Sequence, residues 1–353
     1  MRAAVLREGK IEIRETADPT PGPGEILVRT RACAICASDL HFMDHPEGDA
    51  EDDSGLSNHD CHQDIVMGHE YAAEIVDYGP DTQRKWALGT RVSALPAVIR
   101  NGQLKIIGQN PDVPGGFGEY FVISESFTKV IDTKIPDELV ALADAMAVGW
   151  YYVRRAAITA QEVPLVIGCG AIGLSVIAAL KRLGIGPIVA AEFVANRRAI
   201  AKEMGADYLI DPARESPHSA WQEIANGQKE RIFELPGSVS RKTCVIFECV
   251  GVPGVLNSIV RSCDQGARIF SAGGPPEGEH IHTMSCKRKG LNIQFGGGPL
   301  KGDWDGAFEE VQSGRLDVTP LARWIVGLDD MAGAIEDARD TNGPARIVWM
   351  PGK

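Results

Sequence analysis

The chain of 353 residues is poor in cysteine, short of positive charge and free of internal repeats and Ser/Gly-rich linkers. Its eight cysteines, Cys33, Cys36, Cys61, Cys169, Cys244, Cys249, Cys263 and Cys286, are too few for a disulfide scaffold. Several lie in apolar runs, where a free Cys packs as a small hydrophobe. A reducing, cytoplasmic setting is therefore expected. Lys and Arg total 36 against 48 Asp and Glu, a net charge of −12 with no basic block. That balance argues against nucleic acid or a membrane surface as partner. No signal peptide is expected: the opening MRAAVLREGKIEI alternates apolar and charged residues and reads as a strand. An unbroken apolar span is missing too. The 18 uncharged residues from Val163 to Leu180 have the length of one, but Pro164, Gly168, Gly170 and Gly173 divide them into strand, turn and helix.

The length predicts two domains, and a hydrophobic fraction of 44% supports an ordinary globular core. The first 140 or so residues read as strands and loops: GEILVRTRA, HEYAAEIVDYG and GEYFVISES carry β-branched and aromatic residues between Gly and Pro borders. Between about Val148 and Phe295 the texture changes. Strand-like VPLVIG, PIVAAEF, TCVIFECVG and ARIFSAGG alternate with helical GLSVIAALKRLG and NRRAIAKEMGA, the pattern of βαβ units in a parallel sheet. GAFEEVQSGRL and DDMAGAIEDARD then read as helices and ARIVWMP as a closing strand. The domains predicted are 1–150, completed by 297–353, and 151–296. Residues 42–66 hold eight acids with His45, His59, Cys61 and His62 and no helical or strand period. They read as a solvated acidic loop, with a weak second possibility of a metal on His59, Cys61 and His62.

Gly168-Cys169-Gly170-Ala171-Ile172-Gly173 fits G-x-G-x-x-G, follows a predicted strand and opens a predicted helix. The first glycine permits the tight turn, the second the approach of a pyrophosphate, the third close helix–strand packing. Free N–H groups at the helix start then face phosphate. Glu192 lies at the end of the next strand, where an acid binds both ribose hydroxyls and repels a 2′-phosphate. That favours NAD over NADP, with Arg197 and Arg198 as the counter-argument if either reached a 2′-phosphate.

Cys36-Ala37-Ser38-Asp39-Leu40-His41 offers a thiolate ligand in Cys36, a hydroxyl relay in Ser38 and a proton acceptor in His41. Gly68-His69-Glu70 offers a second ligand in His69. Catalytic zinc commonly takes three protein ligands and leaves one position open.

With these residues in place the chain resembles, nearly end to end, the zinc-containing alcohol and polyol dehydrogenases of the medium-chain dehydrogenase/reductase family. The family's motifs stand here in order as Pro21-Gly22-Pro23-Gly24-Glu25-Ile26-Leu27-Val28, Cys36 to His41 with Ala37 for the usual Gly, Gly68-His69-Glu70, Gly89-Thr90-Arg91-Val92 and Gly115-Gly116-Phe117-Gly118-Glu119-Tyr120. The resemblance implies an α/β chain: a GroES-like β-rich catalytic domain and a doubly wound Rossmann domain. It implies Asp144 as third zinc ligand, Asp39 holding the His69 ring and Glu70 beneath the metal as a transient ligand. It also implies Cys249, Val250 and Gly251 near the nicotinamide ribose, and Ala272, Gly273 and Gly274 at the carboxamide. Arg346 would sit at the pyrophosphate, or else stand as a surface charge on the last strand.

Two departures matter. From Ser93 to Phe117 there is no Cys, so the second, structural zinc of many members is not expected. Cys36 and His69 stand 33 positions apart, about a dozen more than usual, so the acidic insertion falls between two ligands. The expected reaction is hydride transfer between an alcohol and NAD. The alcohol proton would leave through Ser38, then the nicotinamide ribose hydroxyl, then His41. The alternatives are a zinc-free quinone or enoyl reductase on the same fold, and a non-catalytic binding protein. The expected partner is a small alcohol, aldehyde or ketone, with an anionic one less favoured by the acidic loop. A homodimer or homotetramer is the expected assembly. Phe42 and Trp150 read as core residues before cleft residues.

Overall fold

A computed structural model describes residues 1–44, 56–57, 62–227, 241–275 and 278–353. The chain divides into two compact units, Met1–Ala145 with Trp304–Lys353, and Met146–Asp303.

The first unit is β-rich. Its opening, expected as one strand, is a hairpin of Arg2–Arg7 and Lys10–Glu15 with Arg7 opposite Lys10. Glu8 (φ 50°) and Gly9 (φ 75°) take the positive angles of a tight two-residue turn, which alternation alone does not reveal. The main sheet runs Thr128–Val130, Arg91–Ala94, Glu70–Tyr78, Glu25–Ala34, Val348–Trp349, Ile325–Val326, with Tyr120–Ser124 also on Glu25–Ala34. Its register places the site. Ala34 pairs with Glu70 and Cys33 with Tyr71, so Cys36, just past one strand, meets His69, just before the other. Trp349 pairs with Cys33, and Ile35 donates to the Ile347 carbonyl at 2.9 Å, which brings Arg346 to the same sheet end. The 42–66 reading needs correction at its ends. Phe42, Met43 and Asp44 close the helix Ala37–Asp44, with Phe42 and Met43 buried, and Ile65–Val66 pair with Arg2–Arg7. That helix is anchored by apolar residues at its last turn, a signal hidden by the acids around it. His59, Cys61 and the segment 45–55 lie outside the described residues. The stretch that carries no Cys holds a hairpin, Ala97–Arg100 and Gln103–Ile106.

The second unit holds a six-stranded parallel sheet in the order Tyr208–Ile210, Val189–Ala191, Glu162–Ile167, Thr243–Glu248, Arg268–Ser271, Asn292–Phe295. Chain order reverses between Glu162–Ile167 and Thr243–Glu248. In open α/β sheets ligands bind outside the carboxyl ends of strands at such a switch point. The core on one side joins Val163, Leu165, Val189, Ile246, Ile259 and Ile269, all under 4% exposed. Trp150 and Phe42 are buried in their respective units. The seven described cysteines are free. No helix among the described residues is long and apolar enough to cross a membrane.

Candidate metal and dinucleotide sites

In the β-rich unit, Cys36, His69 and Glu70 each bring one ligand atom within 4.8 Å of the others. Among the described residues no other group of three His, Cys, Asp or Glu does so. A thiol sulfur, an imidazole nitrogen and a carboxylate oxygen are a donor set that suits zinc. His69 and Glu70 are buried, and Cys36 is half-buried. Gly68 makes the approach possible. Its φ is +96°, and a side chain there would meet the Phe117 N–H at 2.8 Å and Cys33 Sγ at 2.9 Å.

Asp39, 1% exposed, serves two donors at once. Its Oδ2 accepts from the Cys36 N–H at 2.9 Å, and its Oδ1 lies 3.3 Å from His69 Nδ1. This fixes the ring and leaves Nε2 toward the metal group, where Ser38 Oγ stands 3.2 Å away. Burial alone would lower the His69 pKa, but Asp39 and Cys36 hold it well above the usual imidazole value. Burial likewise raises the Cys36 thiol, while the His69 ring more than offsets this and brings it to about 7. A metal ligand set needs the thiolate and the neutral imidazole.

Three further placements bear on the expected site. Asp144 is not in the group of three. It sits in the first turn of helix Ala143–Ala156, and its Oδ1 accepts from Trp304 Nε1 at 2.8 Å. Burial pushes its carboxyl up, against the pull of His69 and Trp304. Arg346 is no surface charge: it is 4% exposed and ion-paired to Glu70. Each of the two buried charges thus has an opposite charge beside it. His41 stands exposed in the last turn of helix Ala37–Asp44, one turn beyond Ser38 on the same face.

In the second unit, strand Glu162–Ile167 leads through Gly168 (φ +90°) to helix Ala171–Arg182, capped at Gly170. Gly173 packs so closely that an added Cβ would run into the Gly168 carbonyl oxygen, whereas nothing lies within 4 Å of the Cβ position of Gly170. The N–H groups of Ala171, Ile172 and Gly173 form the helix start. Glu192, 8% exposed, ends the neighbouring strand and accepts from the Cys169 N–H at 2.8 Å and the Val194 N–H at 2.9 Å. Arg198 is committed elsewhere: Nη1 donates to the Glu192 and Phe193 carbonyls, and Nη2 faces Asp211 at 3.2 Å. Arg197 Nε is buried without a hydrogen bond.

Cys249, Val250 and Gly251 follow the next strand. Cys249 donates to the Ile167 carbonyl at 2.9 Å, which seats this loop against the glycine turn. Ala272, Gly273 and Gly274 follow the strand after that. Glu248, unremarked in the sequence reading, joins the two loops. Its Oε1 accepts from Val250 and Gly251 N–H at 2.8 and 2.9 Å, and its Oε2 from Ser271 Oγ at 2.8 Å. Its carbonyl accepts from Ala272 and Gly273 N–H at 2.9 and 3.2 Å. An acid ending the apolar run Val245-Ile246-Phe247 was the signal available.

A phosphate-ready glycine turn, with a β-rich unit that gathers a thiol, an imidazole and a carboxylate, defines a metal- and nucleotide-dependent oxidoreductase. Comparison with known proteins agrees. The alcohol dehydrogenase GroES-like domain model matches residues 22–136, and the zinc-binding dehydrogenase model residues 171–313. (R,R)-butanediol dehydrogenase of Bacillus subtilis is 32% identical over 277 residues, 74% of each chain. L-threonine 3-dehydrogenase of Rhizobium rhizogenes is 27% identical across 99% of both chains. The crystal structure of 2R,3R-butanediol dehydrogenase from Bacillus subtilis aligns at a TM-score of 0.82 and 25% identity over 99% of both chains. The chain belongs to the zinc-type alcohol and polyol dehydrogenases of the medium-chain dehydrogenase/reductase family. It is an oxidoreductase that moves hydride between an alcohol and a nicotinamide cofactor. The zinc-free reductase and non-catalytic readings are not favoured.

Proposed function

We propose that the protein oxidises a secondary alcohol carrying an adjacent hydroxyl or amino group, with NAD as acceptor and one zinc per subunit. The observation that carries this reading is the convergence of Cys36, His69 and Glu70 within 4.8 Å. The substrate class rests on relatives named for L-threonine, butanediol and sorbitol, each with two neighbouring polar carbons. Cys36, His69 and Glu70 would hold the ion. Asp144 stays a candidate further ligand, with Trp304 Nε1 orienting one of its two carboxyl oxygens. A bound zinc supplies Lewis-acid polarisation of the substrate oxygen. The residues of the chain do the rest. Asp39 fixes the His69 tautomer, and Arg346 neutralises Glu70. Ser38 takes the hydroxyl proton, which passes on to His41 and solvent. A bound NAD would supply the acceptor for the hydride of the carbinol carbon.

The preference for NAD over NADP is supported by Glu192, an acid held by the Cys169 N–H beside the glycine turn, and by Arg198, already bound to carbonyls and Asp211. Gly168, Gly170, Ala171, Ile172 and Gly173 serve the pyrophosphate. A structural zinc is not proposed, since the hairpin Ala97–Arg100 and Gln103–Ile106 carries no Cys. A homo-oligomer is proposed: strand Asn292–Phe295 is an open sheet edge, and Phe295 is 58% exposed. A cytoplasmic setting remains part of the same reading.

The test combines zinc content per subunit by elemental mass spectrometry with NAD-linked oxidation of a panel of vicinal diols and amino alcohols. About one zinc, lost with turnover in Cys36→Ala, is the expected result. Full turnover in a metal-free Cys36→Ala protein would overturn the assignment. Ser38→Ala should keep zinc and slow the proton step, so unchanged rates at every pH would remove the relay.

A further inference from the structure

We propose that Glu248 is an electrostatic selector, a buried carboxylate that raises the affinity of the second unit for the cationic nicotinamide of NAD⁺ relative to the neutral ring of NADH. The inference rests on the reading that Cys249–Gly251 and Ala272–Gly274 meet the nicotinamide end of the cofactor.

Glu248 is 2% exposed, yet its side chain accepts three hydrogen bonds, from Val250 N–H, Gly251 N–H and Ser271 Oγ. Three donors converge on this one carboxyl. Among the described residues no Lys, Arg or His forms an ion pair with it. A buried charge without a partner is costly, so the expectation is that a counter-charge arrives from elsewhere. The position indicates where. Glu248 ends the strand beside the switch point, and it lines a cavity of about 200 Å³ with Gly251, Ser271, Gly273, Gly274 and Phe295. The loops it ties are interlocked. A side chain on Gly273 would run into the Gly251 N–H and come within 3.0 Å of Glu248 Oε1. Oxidised nicotinamide carries a positive ring and reduced nicotinamide does not. A fixed negative charge at this end therefore attracts one redox state and leaves the other unassisted.

A unit charge within about 12 Å at an effective dielectric near 20 changes an affinity about tenfold. Glu248→Gln keeps the shape and an acceptor for the two N–H groups, while Ser271 can turn to accept from the new amide. The experiment measures dissociation constants of NAD⁺, NADH and ADP-ribose for the zinc-loaded wild type and Glu248→Gln by calorimetry. The expected result is a ratio Kd(NAD⁺)/Kd(NADH) about tenfold higher in Glu248→Gln, with ADP-ribose affinity within about twofold. If Glu248 only shapes the loops, both forms weaken together and the ratio stays constant, which overturns the proposal. Should Glu248→Gln fail to fold, judged by lost ADP-ribose binding, Glu248→Asp decides. It keeps the charge but shortens the reach. A ratio unchanged from wild type supports the proposal, and a shifted one overturns it. Wild-type protein that binds ADP-ribose but neither NAD⁺ nor NADH would instead remove the underlying reading of the two loops, and this inference with it.

Discussion

The sharpest consequence of the metal group lies one residue outside it. Asp39 is buried and uses both carboxylate oxygens, one for the Cys36 N–H and one for His69 Nδ1. Asp39→Asn keeps the volume but replaces one acceptor by an NH₂ group. If the remaining oxygen stays on the Cys36 N–H, the NH₂ faces His69 Nδ1. That nitrogen must then accept, the proton moves to Nε2, and Nε2 can no longer ligate. If the amide turns over, His69 keeps its tautomer and the Cys36 N–H is left buried without a partner, at a cost of about 1–3 kcal/mol. Neither orientation satisfies both donors. Loss of such a supporting carboxylate weakens metal binding about 10- to 100-fold, equivalent to ~1.4–2.7 kcal/mol. Competition of zinc against a chelator of known affinity measures this directly. Zinc affinity within twofold of wild type in Asp39→Asn would refute the tautomer argument, whatever happens to turnover.

Further tests follow from single contacts. Trp304→Phe keeps the ring stacked on Phe308 but removes the bond to Asp144, and should cost about 1–3 kcal/mol in urea unfolding while zinc is retained; an unchanged midpoint would mean the indole tether carries nothing. Gly173→Ala should weaken NAD binding and destabilise the fold by roughly 1–3 kcal/mol, because the new methyl meets the Gly168 carbonyl oxygen; tight NAD binding by calorimetry would contradict the packing. Burial raises the Glu162 carboxyl, but bonds from Thr159 and Arg268 outweigh it, so its folded pKa lies below 4.5. A depressed carboxyl contributes stability above its unfolded pKa and loses it as pH falls through the folded one. Wild type should therefore lose stability more steeply below pH 4.5 than Glu162→Gln, and parallel urea midpoints across that window would refute the assignment.

The parts of this protein legible in its sequence are those set by local periodicity. The alternation of strand and helix after Val148 gives the parallel sheet, and the spacing of Gly168, Gly170 and Gly173 gives the turn, because both depend on residues within one βαβ unit. Cys36 and His69 were legible by residue type, and the register Ala34 opposite Glu70 explains why they meet. What was not legible depends on distant partners. Position in the chain points to Asp144 as a third ligand, but its hydrogen-bond partner Trp304 lies 160 residues away. No pattern in a single sequence couples the two. Arg346 looked like either a cofactor contact or a surface charge, and its burial depends on a strand pairing with Cys33 and Ala34 that closes the sheet from the far end of the chain. Glu248 was passed over for the opposite reason. It ends an apolar strand, where a lone acid reads as the strand's limit until the three donors converging on it are known. Side-chain identity at a site is therefore readable early, whereas the choice between ligand, tether and counter-charge is made by partners that only the closed sheet supplies. In this chain the closed sheet brings Glu70, one residue from His69, into one group with Cys36, and it sets Asp144 against Trp304.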